Sequence, residues 1–176
     1  MQLLTFTIAS DTYAIESRRV IEVVPLVPSR PVPRAPHYVR GVFVYRGRLL
    51  PLIDLGQRLA DTAPRDRLGT RVIVVDCNPV DGSTTVRLGL VADNVLSICS
   101  TSAADSSLPP LRSDDAACLG PLLRIDGGTI QVLAVDRLLP RDVAASLTAA
   151  TPCVTAPPAA SLEPRPLPRD PASPLP

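Results

Sequence analysis

Residues Pro36 to Leu55, PHYVRGVFVYRGRLLPLIDL, set two apolar segments around a charged, glycine-containing pivot, Arg46-Gly47-Arg48. Val42, Phe43, Val44 and Tyr45 lead in, and Leu49 to Leu55 lead out. Branched and aromatic side chains suit a pleated surface, and a glycine beside an arginine between two such runs predicts a tight β-hairpin turn. An arginine carried there is displayed rather than buried. Two readings fit it equally from spacing alone: a solvated turn residue or a recognition group.

Working outward, the segment before this hairpin holds Pro25, Pro28, Pro31, Pro33 and Pro36, which force an extended path without regular backbone pairing. Such a segment wraps a surface and builds no sheet. Further upstream, Leu3 to Ala9 alternates as a strand, Asp11-Thr12 supplies a turn and Tyr13-Ala14-Ile15 opens a second strand. Glu16 to Val24 has Val20, Val23 and Val24 at helical spacing, but its β-branched content and Pro25 limit it to a brief helical turn followed by a strand or loop.

Downstream, Gly56 to Ala60 suits one helical turn, and Asp61 to Gly69 is a polar connection. Arg71 to Cys77 and Thr85 to Val91 read as strands joined through Asn78-Pro79-Val80-Asp81-Gly82-Ser83, with Val95 to Cys99 continuing after a kink at Ala92-Asp93-Asn94. Thr101 to Ala117 is expected as a long exposed loop. Arg124 to Val135 reads as another hairpin around Asp126-Gly127-Gly128, and Asp136 to Leu147 as a closing helix with Asp136 at its N-cap. Both halves end a strand on a hydrophobic-Asp-hydrophobic step, Ile53-Asp54-Leu55 and Val135-Asp136-Arg137-Leu138, a faint internal repeat.

The expected fold class is therefore all-β, a barrel architecture in two halves closed by a short C-terminal helix. With 176 residues, two Phe, three Tyr and no Trp, its core must be built from Val, Leu, Ile and Ala. The expected folded domain is 1–148, with a first half of about 1–68 and a second of about 69–148 that are allowed to intertwine. From residue 149 to 176 the chain is a proline-rich tail that lacks the apolar side chains for a core. It is either a passive appendage or, through Pro164-Arg-Pro-Leu-Pro-Arg-Asp-Pro171, a docking peptide for a proline-binding groove.

Every basic residue is arginine, yet the net charge is only +1, which argues against a general nucleic-acid binder. Between Ser17 and Ile53, however, Arg18, Arg19, Arg30, Arg34, Arg40, Arg46 and Arg48 stand against Glu22 alone. The aromatic interleaving of a nucleic-acid site is missing, so an acidic protein surface is the better partner for this face. Cys77, Cys99, Cys118 and Cys153 lack C-x-x-C spacing and are expected as small apolar residues in a reducing compartment, with no metal and no cofactor implied. His37 is the only histidine and has no nucleophile at a recognisable spacing, so no enzyme is expected. Asp54 suits a helix cap, or a pairing with Arg46 or Arg48, better than a catalytic carboxylate. No apolar run reaches the about 20 residues of a membrane span and the N-terminus lacks a basic leader, so the expectation is a soluble, cytoplasmic, bacterial protein without membrane insertion.

Tyr13, Ile15, Val20, Glu22, Pro36, Gly41, Arg46, Gly47, Pro51, Asp54 and Leu55, followed by Gly89-Leu90-Val91, Asp93 and Val95, fall in order and without gaps. Together they resemble the CheW-like coupling-protein family of bacterial chemosensory systems, over roughly Leu3 to Leu147. The resemblance implies two five-stranded SH3-like barrels packed side by side, and no catalysis. It implies two partners: the regulatory domain of a CheA-type histidine kinase, and the cytoplasmic tip of a methyl-accepting chemoreceptor lying in a groove between the barrels. By matching position, Val20, Glu22 and Val23 line or border that groove, Gly41 lies near it, and Arg46 supports the coupling of both partners. The protein is then expected in receptor arrays at the inner membrane. Val44-Tyr45 departs from the Asn-Leu of many members. Leu119-Gly-Pro-Leu-Leu-Arg124 and the Asn78–Ser83 turn look more like the adaptors of Wsp-type surface-sensing pathways, which end in control of a diguanylate cyclase. The competing class is a β-barrel module that binds a peptide or nucleic acid outside chemosensing.

Overall fold

A computed structural model describes residues 1–62, 68–78, 85–101, 106–108, 117–125, 128–139 and 143. Its strands are β1 (Gln2–Ile8), β2 (Asp11–Glu16), β3 (Val20–Pro25), β4 (Val39–Tyr45), β5 (Arg48–Asp54), β6 (Arg71–Cys77), β7 (Val86–Ser100), β8 (Ser106–Leu108), β9 (Leu119–Ile125) and β10 (Gly128–Leu133). The one α-helix among the described residues, α1 (Leu55–Ala60), follows β5, and 3-10 turns occupy Ser17–Arg19 and Val135–Arg137. The protein is all-β, as expected.

The strands form two sheets that share β7. One orders β3-β6-β7-β5-β4; the other orders β7-β1-β2-β10-β9, with the short β8 beyond β9. Both follow the same sequence of pairings: antiparallel, antiparallel, parallel, antiparallel. They are two copies of one five-stranded barrel. The β1–β2 hairpin completes the barrel built by the later strands β9 and β10, burying Leu3 and Ala14 there with Leu123 and Val132. β3 to the first half of β7 make one barrel, and β1, β2, the second half of β7, β9 and β10 make the other.

Two barrels side by side give three apolar layers. Phe43, Tyr45, Leu50, Leu52, Val72, Val74 and Val91 fill the first barrel. Leu3, Ala14, Leu123 and Val132 fill the second. Between them lies the largest cluster, with Ile53, Ile73, Val75, Leu88 and Leu90 from one barrel against Leu4, Phe6, Ile8, Ile15 and Leu133 from the other. Side chains alternate across a strand, so a strand buried on both faces needs apolar residues at every position. This is why β6 reads Val72-Ile73-Val74-Val75 without a polar break: Val72 and Val74 point into the barrel, Ile73 and Val75 into the layer between barrels, all four with 0% exposure.

The Arg46-Gly47 pivot forms the expected two-residue hairpin turn, with φ of 48° at Arg46 and 76° at Gly47, the pair of positive angles that matches strand twist. Other details differ from expectation. The first hairpin turns at Ala9-Ser10, with Ala9 at φ 54°, so Asp11 and Thr12 already belong to β2. One expectation here holds: the brief helical turn after β2 forms at Ser17–Arg19 and a strand follows, Val20 to Pro25 pairing with β6, because β-branched residues gain more on a sheet edge than in a helix. β7 runs unbroken through the expected kink, which survives as Asn94 at φ 43° beside the register shift where the strand passes from one barrel to the other. Within the expected 101–117 loop, Ser106–Leu108 pair with β9. Asp136 is not an N-cap: Ala134 holds that place at the 3-10 turn, and Asp136 is drawn to Arg19 and the Asn78 amide instead. Of the expected closing helix, Asp136 and Arg137 lie in the 3-10 turn and Leu138 and Leu139 in a bend, not an α-helix; residues 140–142 and 144–147, with most of the Asn78–Ser83 turn, Asp126-Gly127 and the tail, lie outside the described residues.

Candidate functional site

β3 forms one edge of the first barrel, and its register assigns each side chain to a face. Val20 lies opposite Val75 and Val23 opposite Ile73, residues of the layer between the barrels, whereas Glu22 and Val24 lie opposite Val74 and Val72, which fill the barrel interior. Paired residues on neighbouring strands share a face. Val20 and Val23 therefore face the border between the barrels: Val20 packs on the edge of the central cluster, and Val23 is 38% exposed. Glu22 turns the other way.

At the mouth of the first barrel Glu22 meets the β4–β5 turn. The Tyr45 hydroxyl donates to Glu22 Oε2 at 2.5 Å, and Arg46 Nη2 donates to the same oxygen at 2.8 Å. The Arg46 guanidinium also lies 5.2 Å from the centroid of the Tyr45 ring. Hydrogen bonding from Tyr45, followed by the charge of Arg46, holds the Glu22 carboxyl below its ordinary range against opposing desolvation. The same bond raises the Tyr45 phenol, with burial adding to it. β3 and β4 are the two ends of the first sheet, so this cluster joins the strands on either side of the barrel seam.

An exposed ion pair contributes little to stability. What the cluster supplies is orientation. The Arg46 side chain is 70% exposed, and one of its five N–H donors is used by Glu22, so a pre-set guanidinium fork faces outward beside the turn. Arg18, Arg30, Arg34 and Arg48 are exposed as well, Arg18 in an ion pair with Glu16.

Gly41 has a backbone role. It sits on β4 at φ 134°, and a Cβ there would lie 2.1 Å from the Arg30 carbonyl oxygen. Arg30 belongs to the proline-rich strap, which crosses β4 through Arg30 N to Val42 O at 2.8 Å and Val42 N to Arg30 O at 2.9 Å. Only glycine lets the strap approach so closely, and the strap in turn buries Gly41. Asp54 does not reach Arg46 or Arg48. It accepts from the Gln57 amide at 3.1 Å as the N-cap of α1 and lies 3.9 Å from Arg40.

Three residues escaped the sequence reading. Tyr45 was visible only as a departure from the family pattern, yet it is the phenol that orients Glu22. Val44, 66% exposed, and Ile98, 61% exposed, are large apolar side chains in water. Ile98 lies opposite Leu4 as Val23 lies opposite Ile73, so the two occupy equivalent positions of the repeated barrel. The signal for Ile98 was the repeat itself, which needs the strand pairing to become visible. Among the described residues no three His, Cys, Asp or Glu converge to hold a metal ion, and no helix is long and apolar enough to cross a membrane.

The site thus consists of two barrels of one design with an apolar border between them and an oriented arginine at the mouth of the first. The CheW-like domain profile matches residues 2–143, and the chain belongs to that family. It is 29% identical over 143 residues to the chemotaxis protein CheW of Rhizobium meliloti (strain 1021), covering 80% of this chain and 88% of that one. It is 34% identical over 116 residues to protein FrzA of Myxococcus xanthus, covering 66% of this chain and 69% of that one. Its fold is similar to that in the crystal structure of the scaffolding protein TtCheW from Thermoanaerobacter tengcongensis, with a TM-score of 0.68 and 22% identity over 81% of this chain and 89% of that one.

Proposed function

We propose that this chain is a non-enzymatic adaptor that couples chemoreceptors to a CheA-type histidine kinase in a bacterial chemosensory array. It binds the kinase's regulatory domain and the cytoplasmic tip of a methyl-accepting chemoreceptor, working in the cytoplasm against the inner membrane. The observation that carries this reading is the family match across both barrels, which takes in β3 and the β4–β5 turn together. Val20 and Val23 offer the receptor an apolar wall at the barrel border. Glu22 holds Arg46 for a carboxylate on a partner, and Gly41 keeps the strap seated behind that turn. A rigid two-barrel body fixes the partners' relative placement, and receptor state passes to the kinase as a shift between packed arrangements.

Arg46→Glu tests the reading. It sets like charges at Glu22 and should weaken the receptor–adaptor–kinase complex at least about tenfold by co-sedimentation, with the β circular-dichroism spectrum unchanged. A folded R46E protein that supports receptor control of the kinase as well as wild type would remove the assigned role. The Wsp-type assignment rests on the 119–124 signature and the Asn78–Ser83 turn; cyclic di-GMP that stays unchanged in a deletion strain on surface contact would sink it.

A further inference from the structure

The repeated barrel has two equivalent corners where the barrels meet, and they are built differently. At the first, Asp136, just past the last strand of the second barrel, reaches into the first barrel. Its Oδ2 accepts from the Arg19 guanidinium, one residue before β3, and its Oδ1 accepts from the Asn78 amide at 2.6 Å, one residue past β6. β3 and β6 pair with each other at this end, Val20 opposite Val75, so a single carboxylate grips both strands of the corner. Arg19 and Asp136 are about three-quarters buried, with side-chain exposures of 26% and 25%.

The barrel equivalence maps Asp136 onto Gly56, Arg19 onto Asp93 and Asn78 onto Ala9. At that second corner the tether is missing among the described contacts. Gly56 has no side chain to reach across, Asp93 accepts from the Thr70 hydroxyl at 2.6 Å, and a cleft of about 360 Å³ opens between Thr7, Ala9, Gly56, Thr62 and Asp93. One corner is fastened across the barrels and the other is not. The fastened one lies at the start of β3, directly beside Val20.

We propose that Asp136 is a positioning residue for the receptor-facing wall: by holding Arg19 and the Asn78 amide together, it presets β3, and with it Val20 and Val23, against the second barrel. This rests on the reading of Val20 and Val23 as receptor-facing. Asp136 itself touches no partner in this scheme. Charge-assisted hydrogen bonds in a half-buried setting hold geometry well, and losing one partner leaves the other incompletely satisfied.

The experiment uses the full chain with Asp136→Asn, Arg19→Met and the double variant. Affinity is measured separately for a receptor signalling-tip fragment and for the kinase regulatory domain, and amide hydrogen exchange is followed in β3. The expected result is a loss of about tenfold in receptor affinity for each single variant, no further loss in the double, kinase-domain affinity unchanged within about twofold, and faster exchange across Val20–Val24. Equal losses for both partners, additive losses in the double variant, or unchanged receptor affinity would each overturn the proposal. Val23→Asp separates the two levels. If V23D weakens receptor binding while D136N does not, the tether alone fails; if neither weakens it, the receptor-facing reading of β3 fails as well.

Discussion

Replacing Gly41 by alanine gives a calculable penalty. At φ 134° a side chain is strained by about 1–3 kcal/mol even with space around it. Space is lacking: the added Cβ would sit 2.1 Å from the Arg30 carbonyl oxygen, where a carbon–oxygen contact needs about 3.3 Å. Arg30 must move away by over an ångström, which breaks the reciprocal Arg30–Val42 hydrogen bonds, each contributing about 0.5–1.5 kcal/mol net. Strain and lost bonds together come to about 2–6 kcal/mol, a large share of the about 5–15 kcal/mol that holds an ordinary domain. Gly47→Ala is the control, because φ is 76° but nothing lies within 4 Å of the added Cβ, leaving about 1–2 kcal/mol of strain alone. Urea unfolding followed by circular dichroism should separate the two variants by a clear shift in midpoint at constant slope. Equal, small losses for both would refute the strap argument.

Two further outcomes follow from the polar groups. In Tyr45→Phe the largest cause of the lowered Glu22 carboxyl is gone, so its pKa should rise toward the ordinary value in a carbon-detected NMR titration; no change would assign the lowering to Arg46 instead. The sign for stability follows, since a depressed carboxyl contributes above its unfolded pKa and loses that contribution as pH falls through the folded one, and Y45F should flatten this acid-side dependence. Burial raises the Cys77 thiol to about 11 and pushes Cys118 up as well, so in the folded protein at pH 8 both should resist a thiol-labelling reagent that modifies Cys99, and react once urea unfolds the chain; rapid native labelling of Cys77 would contradict its packing against Val135.

The hairpin at Arg46-Gly47 and strand β6 were legible because their determinants are local. A turn that needs two positive φ angles announces itself by glycine, and a strand buried on both faces announces itself by an unbroken apolar run. The ordered motif from Tyr13 to Leu55 carried the family for the same reason, each residue keeping its spacing whatever lies around it. The helical spacing of Val20, Val23 and Val24 was outweighed by their branched side chains and by Pro25, which limit the helical turn and favour the strand that forms on the β6 edge. Asp136 looked like a cap and became a tether, since nothing in its neighbourhood of sequence reveals Arg19, which pairs with it across 117 residues. The contact between Glu22 and Arg46 was hidden likewise, because it spans the two ends of a sheet order that no linear pattern discloses.

By itself, then, the sequence determined the all-β class, the turn, the strap and the set of arginines, all of which depend on backbone sterics and side-chain chemistry within a few residues. Only the tertiary structure decided that the chain's first hairpin completes its last barrel, that Glu22 and Tyr45 hold Arg46 in place, and that one corner between the barrels is fastened while its counterpart lies open. Those arrangements arise from non-local pairing, where the burial of a shared apolar layer selects one register among many that local preferences would allow.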